Sequence, residues 1–161
     1  MWAGAVEIAE VAFNPSSLLI SLVFFLLVAV TEELALRGFV LERLLQSGVN
    51  KFCALFLSAA LFSLIHIGNP NFDFLSFINI LLAGILLGSS YIYTRNLCFP
   101  IALHWFWNWI QGPVLGYEVS GNKFCNGLLA IRLLEANLIN GGAFGFDGST
   151  PCTTLLVVGQ G

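Results

Sequence analysis

The hydrophobic pattern divides the chain into long apolar runs separated by short polar turns. Asn14-Pro15-Ser16-Ser17 reads as a helix start, a capping residue followed by proline at the first helical position. From there to about Gln46 only Gly38 breaks the pattern. Such a helix rises about 46 Å, longer than a ~30 Å hydrocarbon core. Its first half, Leu18 to Val30, carries one serine and no charge. Its second half, Leu34 to Gln46, is amphipathic, with Arg37, Glu42, Arg43 and Gln46 among leucines, and is predicted to end at a membrane surface. Ser47 to Lys51 forms a turn. Phe52 to Ile67 predicts a second span, and Gly68-Asn69-Pro70-Asn71 a turn after it. Phe74 to Tyr93 predicts a third, with Gly84 and Gly88 at the four-residue spacing that permits close helix approach.

Pro100 opens a fourth helix, Ile101 to about Val114, carrying His104, Trp105, Trp107, Asn108, Trp109 and Gln111. Its tryptophans fit either an interfacial belt or packing around a pocket. Gly116 to Asn122 is a loop. Phe124 to Ile139 is a further helix candidate, in which Arg132 and Glu135 are three apart and able to pair. A glycine-rich loop, Asn140 to Ser149, precedes a last helix start at Ser149-Thr150-Pro151, which reads as half a span.

Composition narrows the class. Of 161 residues, 58% are hydrophobic and 9% charged, with a mean hydropathy of +0.89. A soluble domain is near 25% charged and could not hide this much apolar surface. The expected fold is therefore all-α, a multi-pass transmembrane helical bundle with a polar intramembrane cavity, forming one membrane domain over residues 1–161. Net charge is −3 with no basic cluster, which argues against nucleic acid as a partner. Met1 to Asn14 lacks the positive region of a signal peptide and carries Glu7 and Glu10. Cys53, Cys98, Cys125 and Cys152 are far apart and give neither a zinc knuckle nor a disulfide framework. Arg43, Lys51 and Arg95 fall on one side of the predicted spans, which the positive-inside rule makes cytoplasmic.

Against this apolar background the charged residues stand out. Thr31-Glu32-Glu33-Leu34-Ala35-Leu36-Arg37 places two carboxylates and an arginine inside the first long helix. A charge at bilayer depth costs roughly 2.5–3.5 kcal/mol on insertion scales, so it needs a partner or a task. Glu33 and Arg37 are four apart and share a face, which leaves Glu32 on a neighbouring one. The helical rise places Glu32 about 21 Å from the Gln46 end and His66 about 22 Å from Lys51, both at membrane depth. His104 and Asn108 share a face of the fourth helix. A single histidine in an apolar helix is more often a satisfied core residue. Two histidines, an amide and an unpaired carboxylate on three spans point instead to a site.

The chemistry these groups suit is hydrolysis. A carboxylate in an apolar setting serves as general base, a histidine beside it holds the water, and a second histidine and an amide donate to an oxyanion. Zinc held by Glu32, His66 and His104 is the competing arrangement, although the HExxH spacing is absent.

The ordered motifs Glu32-Glu33-x-x-x-Arg37, Phe62-x-x-x-His66 and His104-x-x-x-Asn108 resemble those of the CAAX-protease and bacteriocin-processing (CPBP, or Abi) family, which includes the type II CAAX prenyl endopeptidases. The resemblance runs from about residue 15 to 150, and the Gly141 to Ser149 tail is similar to bacterial members. It implies an intramembrane endopeptidase of a bacterial inner or plasma membrane, acting on a membrane-associated peptide or protein. Carried over by motif, Glu32 and His66 would activate water, His104 and Asn108 would stabilise the oxyanion, and Glu33 and Arg37 would support them. The family has been described both as glutamate proteases and as metalloproteases, so no cofactor is fixed and zinc stays open. It also implies further N-terminal spans and a complete last helix. A non-proteolytic immunity or partner-binding protein on the same scaffold is the alternative.

Overall fold

A computed structural model describes residues 6–125, 127–133 and 137–160. Asn14 caps the first helix by accepting from the Ser17 amide at 3.0 Å, and Pro15 fills the first helical position. The helix, α1, runs without interruption over Pro15–Gln46. Its buried residues Ser21, Phe25, Ala29, Glu33, Arg37 and Leu41 recur every four positions, with Leu36 buried beside Arg37. In a regular α-helix each step of four overshoots a full turn by about 40°, so such a stripe would wind around the axis. From Leu34 to Leu41 the helix widens to a π-helix, whose larger turn offsets that drift and keeps Arg37 and Leu41 inward.

Three further helices pack on this stripe: α2 (Lys51–Leu64), α3 (Phe74–Thr94) and α4 (Cys98–Trp109), the last widening into a π-turn at Ile110–Val114. A methyl group on Gly84 of α3 would lie 2.9 Å from Ala59 Cα of α2. Only glycine permits that approach, as the Gly84/Gly88 spacing predicts. Hydroxyls tie the helices at depth: Ser58 donates to the Leu36 carbonyl and Ser63 to that of Phe77. α5 (Thr150–Val158) starts at Ser149, which caps it through the Cys152 amide.

The second predicted span ends early. α2 stops at Leu64, and His66, expected inside it, lies in the turn that follows. Nor do the described residues of 124–139 form a helix. They include the strand β2 (Leu129–Leu133), paired antiparallel with β1 (Val6–Val11) so that Glu7 faces Arg132. Leu129-Ala130-Ile131-Arg132-Leu133 alternates half-buried and exposed, a period of two that suits a strand. Opposite charges across the ladder favour the register. Glu135, the proposed partner of Arg132, lies outside the described residues. Among the described residues the fold is thus mostly helical, as expected, with one two-stranded ribbon that an all-α reading does not include.

Two helices, Pro15–Gln46 and Phe74–Thr94, are long and apolar enough to cross a membrane. The surface is inverted relative to a soluble domain. Leu19, Ile20, Val23 and Leu27 face outward, whereas Glu33, Arg37, Asn79, His104 and Gln111 are buried. Arg43, Lys51 and Arg95 gather towards one end of the helices, where Arg95 pairs with Glu42 at 3.3 Å.

Candidate functional site

The inward face of α1 supplies an ion pair with no exposure to solvent. Arg37 Nη1 lies 2.8 Å from Glu33 Oε1, and Arg37 Nη2 donates to the Gly84 carbonyl at 3.2 Å. The guanidinium also lies 4.5 Å above the centre of the Phe62 ring. Glu33 has a second partner: its Oε1 lies 2.9 Å from His104 Nδ1. A carboxylate oxygen only accepts, so Nδ1 carries the proton and the ring presents Nε2 on its other side. There Glu32 Oε2 stands 3.9 Å away. That oxygen is buried and has no hydrogen-bond partner among the described residues.

His66 is held from the α2 terminus. Its Nδ1 lies 2.7 Å from the Phe62 carbonyl oxygen, which again fixes the proton on Nδ1 and leaves the Nε2 lone pair free in the neutral ring. The Phe62 ring stands edge-on to both imidazoles, with centroids 4.9 Å from His66 and 5.8 Å from His104. One phenylalanine therefore spaces the two histidines and carries Arg37 on its face.

Glu32, His66, His104 and Asn108 all line a single cavity of about 400 Å³. Phe24, Phe25, Val28, Leu86 and Leu103 supply apolar wall. Such a lining, with a few convergent polar groups, is what a binding site needs. Glu33 and Arg37 sit behind it, buried and paired.

The tryptophans divide by face. Trp105 and Trp109, four apart, donate to the α1 carbonyls of Leu22 and Leu18 and dock α4 on α1. Trp107 faces the cavity and donates to Asp147. Sequence reasoning gave no role to Asp147, Asn79, Gln111 or Ser120. Gln111 extends the His104/Asn108 stripe by three residues, and Asp147 is the single acid in a glycine-rich loop. Those were the available signals.

The family model of the type II CAAX prenyl endopeptidase Rce1-like proteins matches residues 14–110, more than half of the chain. The chain belongs to the Rce1-like family. No curated protein and no solved structure matches it. The Rce1-like match contains Glu32, Glu33, Arg37, His66, His104 and Asn108, and stops before Gln111, Ser120 and Asp147. Rce1-like proteins are CAAX-protease-type enzymes embedded in membranes, in keeping with the inverted surface.

A zinc ion needs three or four donors converging at about 2.0–2.2 Å. Among the described residues no group of three His, Cys, Asp or Glu side chains stands where one ion would reach all of them. Phe62 lies against both imidazoles, and each ring makes its hydrogen bond through Nδ1, so Nε2 is the nitrogen that either would offer an ion.

Proposed function

We propose that the chain is a multi-pass intramembrane endopeptidase that hydrolyses a peptide bond of a membrane-associated protein or peptide. The observation that carries this reading is Glu32 Oε2, buried without a partner in the cavity that Glu32 shares with His66, His104 and Asn108. A water about 2.8 Å away would donate a hydrogen bond to that carboxylate oxygen. Glu32 takes a proton from that water as it attacks the carbonyl carbon. His66, whose free lone pair is on Nε2, accepts the water's second hydrogen and orients it.

The carbonyl oxygen becomes an oxyanion facing α4. Asn108 donates from its amide, and His104 donates from Nε2 when the ring is doubly protonated. Glu33 at 2.9 Å and Glu32 at 3.9 Å are the counter-charges of that cation. Glu32 then delivers its proton to the leaving nitrogen, the C–N bond breaks, and a free carboxylate and an amine leave.

The test is cleavage of a quenched, prenylated CAAX peptide in vesicles by the purified protein, beside His66→Ala. The expected result is turnover by the parent and a loss of about 10²–10⁴-fold in the variant, with unchanged melting. Equal turnover by the variant contradicts the assignment. Binding without cleavage by the parent points to the immunity or partner-binding alternative.

A further inference from the structure

Asp147 lies outside the Rce1-like match, in the glycine-rich loop between β2 and α5, yet it lines the cavity. It is buried. Its Oδ1 accepts from Trp107 Nε1 at 2.9 Å. Its Oδ2 accepts from Gln111 Nε2 at 3.0 Å and Ser120 Oγ at 3.2 Å. The Gln111 amide nitrogen also donates to the Glu118 carbonyl at 3.0 Å. Both partners of that nitrogen only accept, so the amide orientation is fixed.

Trp107 and Gln111 are four apart on the α4 face that bears His104 and Asn108. The loop itself is anchored at the opposite wall. Asn79 of α3 donates to the carbonyls of Asp147 at 2.7 Å and Ser149 at 2.9 Å, and accepts from Thr153 at 2.6 Å. Gly145, at φ +94°, brings the loop against the Glu118 backbone so closely that a Cβ would collide with it. A carboxylate held by α3 thus grips α4 at two points one turn apart. No other residue described joins the loop, α3 and α4 in this way through one side chain and its carbonyl.

We propose that Asp147 is a positioning residue that fixes the rotation of α4, and so aims His104 and Asn108 at the water held by Glu32. The role requires the carboxylate form, because three donors converge on its two oxygens. Asparagine at this position keeps the volume but turns an NH₂ towards those donors. The inference rests on the proteolytic reading for its kinetic arm and on geometry alone for its structural arm.

The test compares Asp147→Asn, the milder Ser120→Ala and the parent in detergent micelles by amide hydrogen exchange and by peptide cleavage. Exchange over residues 104–111 is expected to accelerate in Asp147→Asn while that of 15–33 stays unchanged. The value of kcat should fall at least about tenfold, with KM near that of the parent. Ser120→Ala, which removes one donor of three, should show a smaller shift in the same direction. Unchanged exchange over 104–111 overturns the proposal, as does a fall in kcat/KM carried by KM, which would make Asp147 a substrate contact. If Asp147→Asn does not fold, Ser120→Ala with unaltered exchange and kcat overturns it. Accelerated exchange with no cleavage by the parent keeps the positioning geometry and removes the proteolytic reading instead.

Discussion

Replacing Arg37 with methionine removes the charge and leaves an unbranched side chain in its place. Arg37 and Glu33 are both fully buried and 2.8 Å apart. Breaking a buried pair by removing one partner costs about 3–5 kcal/mol, because the other charge is left uncompensated. In Arg37→Met, Glu33 keeps the 2.9 Å contact with His104 Nδ1, which places the loss near the lower figure, about 3 kcal/mol. The Gly84 carbonyl loses its donor and Phe62 loses the cation on its face, which add to the cost. Glu33→Gln strands the guanidinium with the Gly84 carbonyl and one amide oxygen, at a similar cost. The double variant buries neither charge. It should therefore be less destabilised than the sum of the singles, by at least about 1.5 kcal/mol. Reversible unfolding in mixed micelles measures all four proteins. A loss below about 1 kcal/mol in Arg37→Met, the range of an exposed pair, or strict additivity in the double variant, refutes the buried-pair account.

Gly84→Ala places a methyl group 2.9 Å from Ala59 Cα and 3.2 Å from its carbonyl oxygen, so α2 and α3 must separate. The same unfolding measurement should show a loss of about 1–3 kcal/mol. Asn108→Ala should lower kcat by about 10²–10³ with KM little changed, the signature of a lost oxyanion donor. Treatment with a zinc chelator should leave the cleavage rate unaltered, because Glu32, His66 and His104 do not converge on one point. Loss of activity restored by added zinc would show that the site rearranges around a metal.

What the sequence revealed depended on the range of the interaction. The Glu33–Arg37 pair was legible because helical spacing places residues four apart on one face. The Asn14-Pro15 start, the Gly84 contact and the Ser149 cap were likewise local signals with fixed physical meaning. The link from Glu33 to His104 crosses 71 positions, and no pattern announces it. It changed the reading of Glu33 from a counter-ion to the group that fixes the His104 tautomer. The π-helical stretch left only Gly38 as a trace.

The ribbon was missed because Phe124–Ile139 was read by overall hydrophobicity rather than by the period of Leu129–Leu133. Its partner Val6–Val11 stands more than a hundred residues away. His66 was placed in a span because the apolar run continues through Ile67, whereas the helix ends at Leu64. It still lines the cavity despite that shift, with its ring held by the Phe62 carbonyl.

The central claim is that Glu32 activates water for peptide-bond hydrolysis. The most direct measurement is cleavage of a membrane-inserted or prenylated peptide in ¹⁸O-labelled water, with products read by mass spectrometry for the parent and Glu32→Gln. Glu32 Oε2 has no hydrogen-bond partner to lose among the described residues and stands 3.9 Å from His104 Nε2, so the variant should fold about as stably as the parent. The account predicts one ¹⁸O in the new carboxylate formed by the parent and a rate reduced by about 10²–10⁴-fold in Glu32→Gln. Labelled product formed at the parental rate by Glu32→Gln would contradict it.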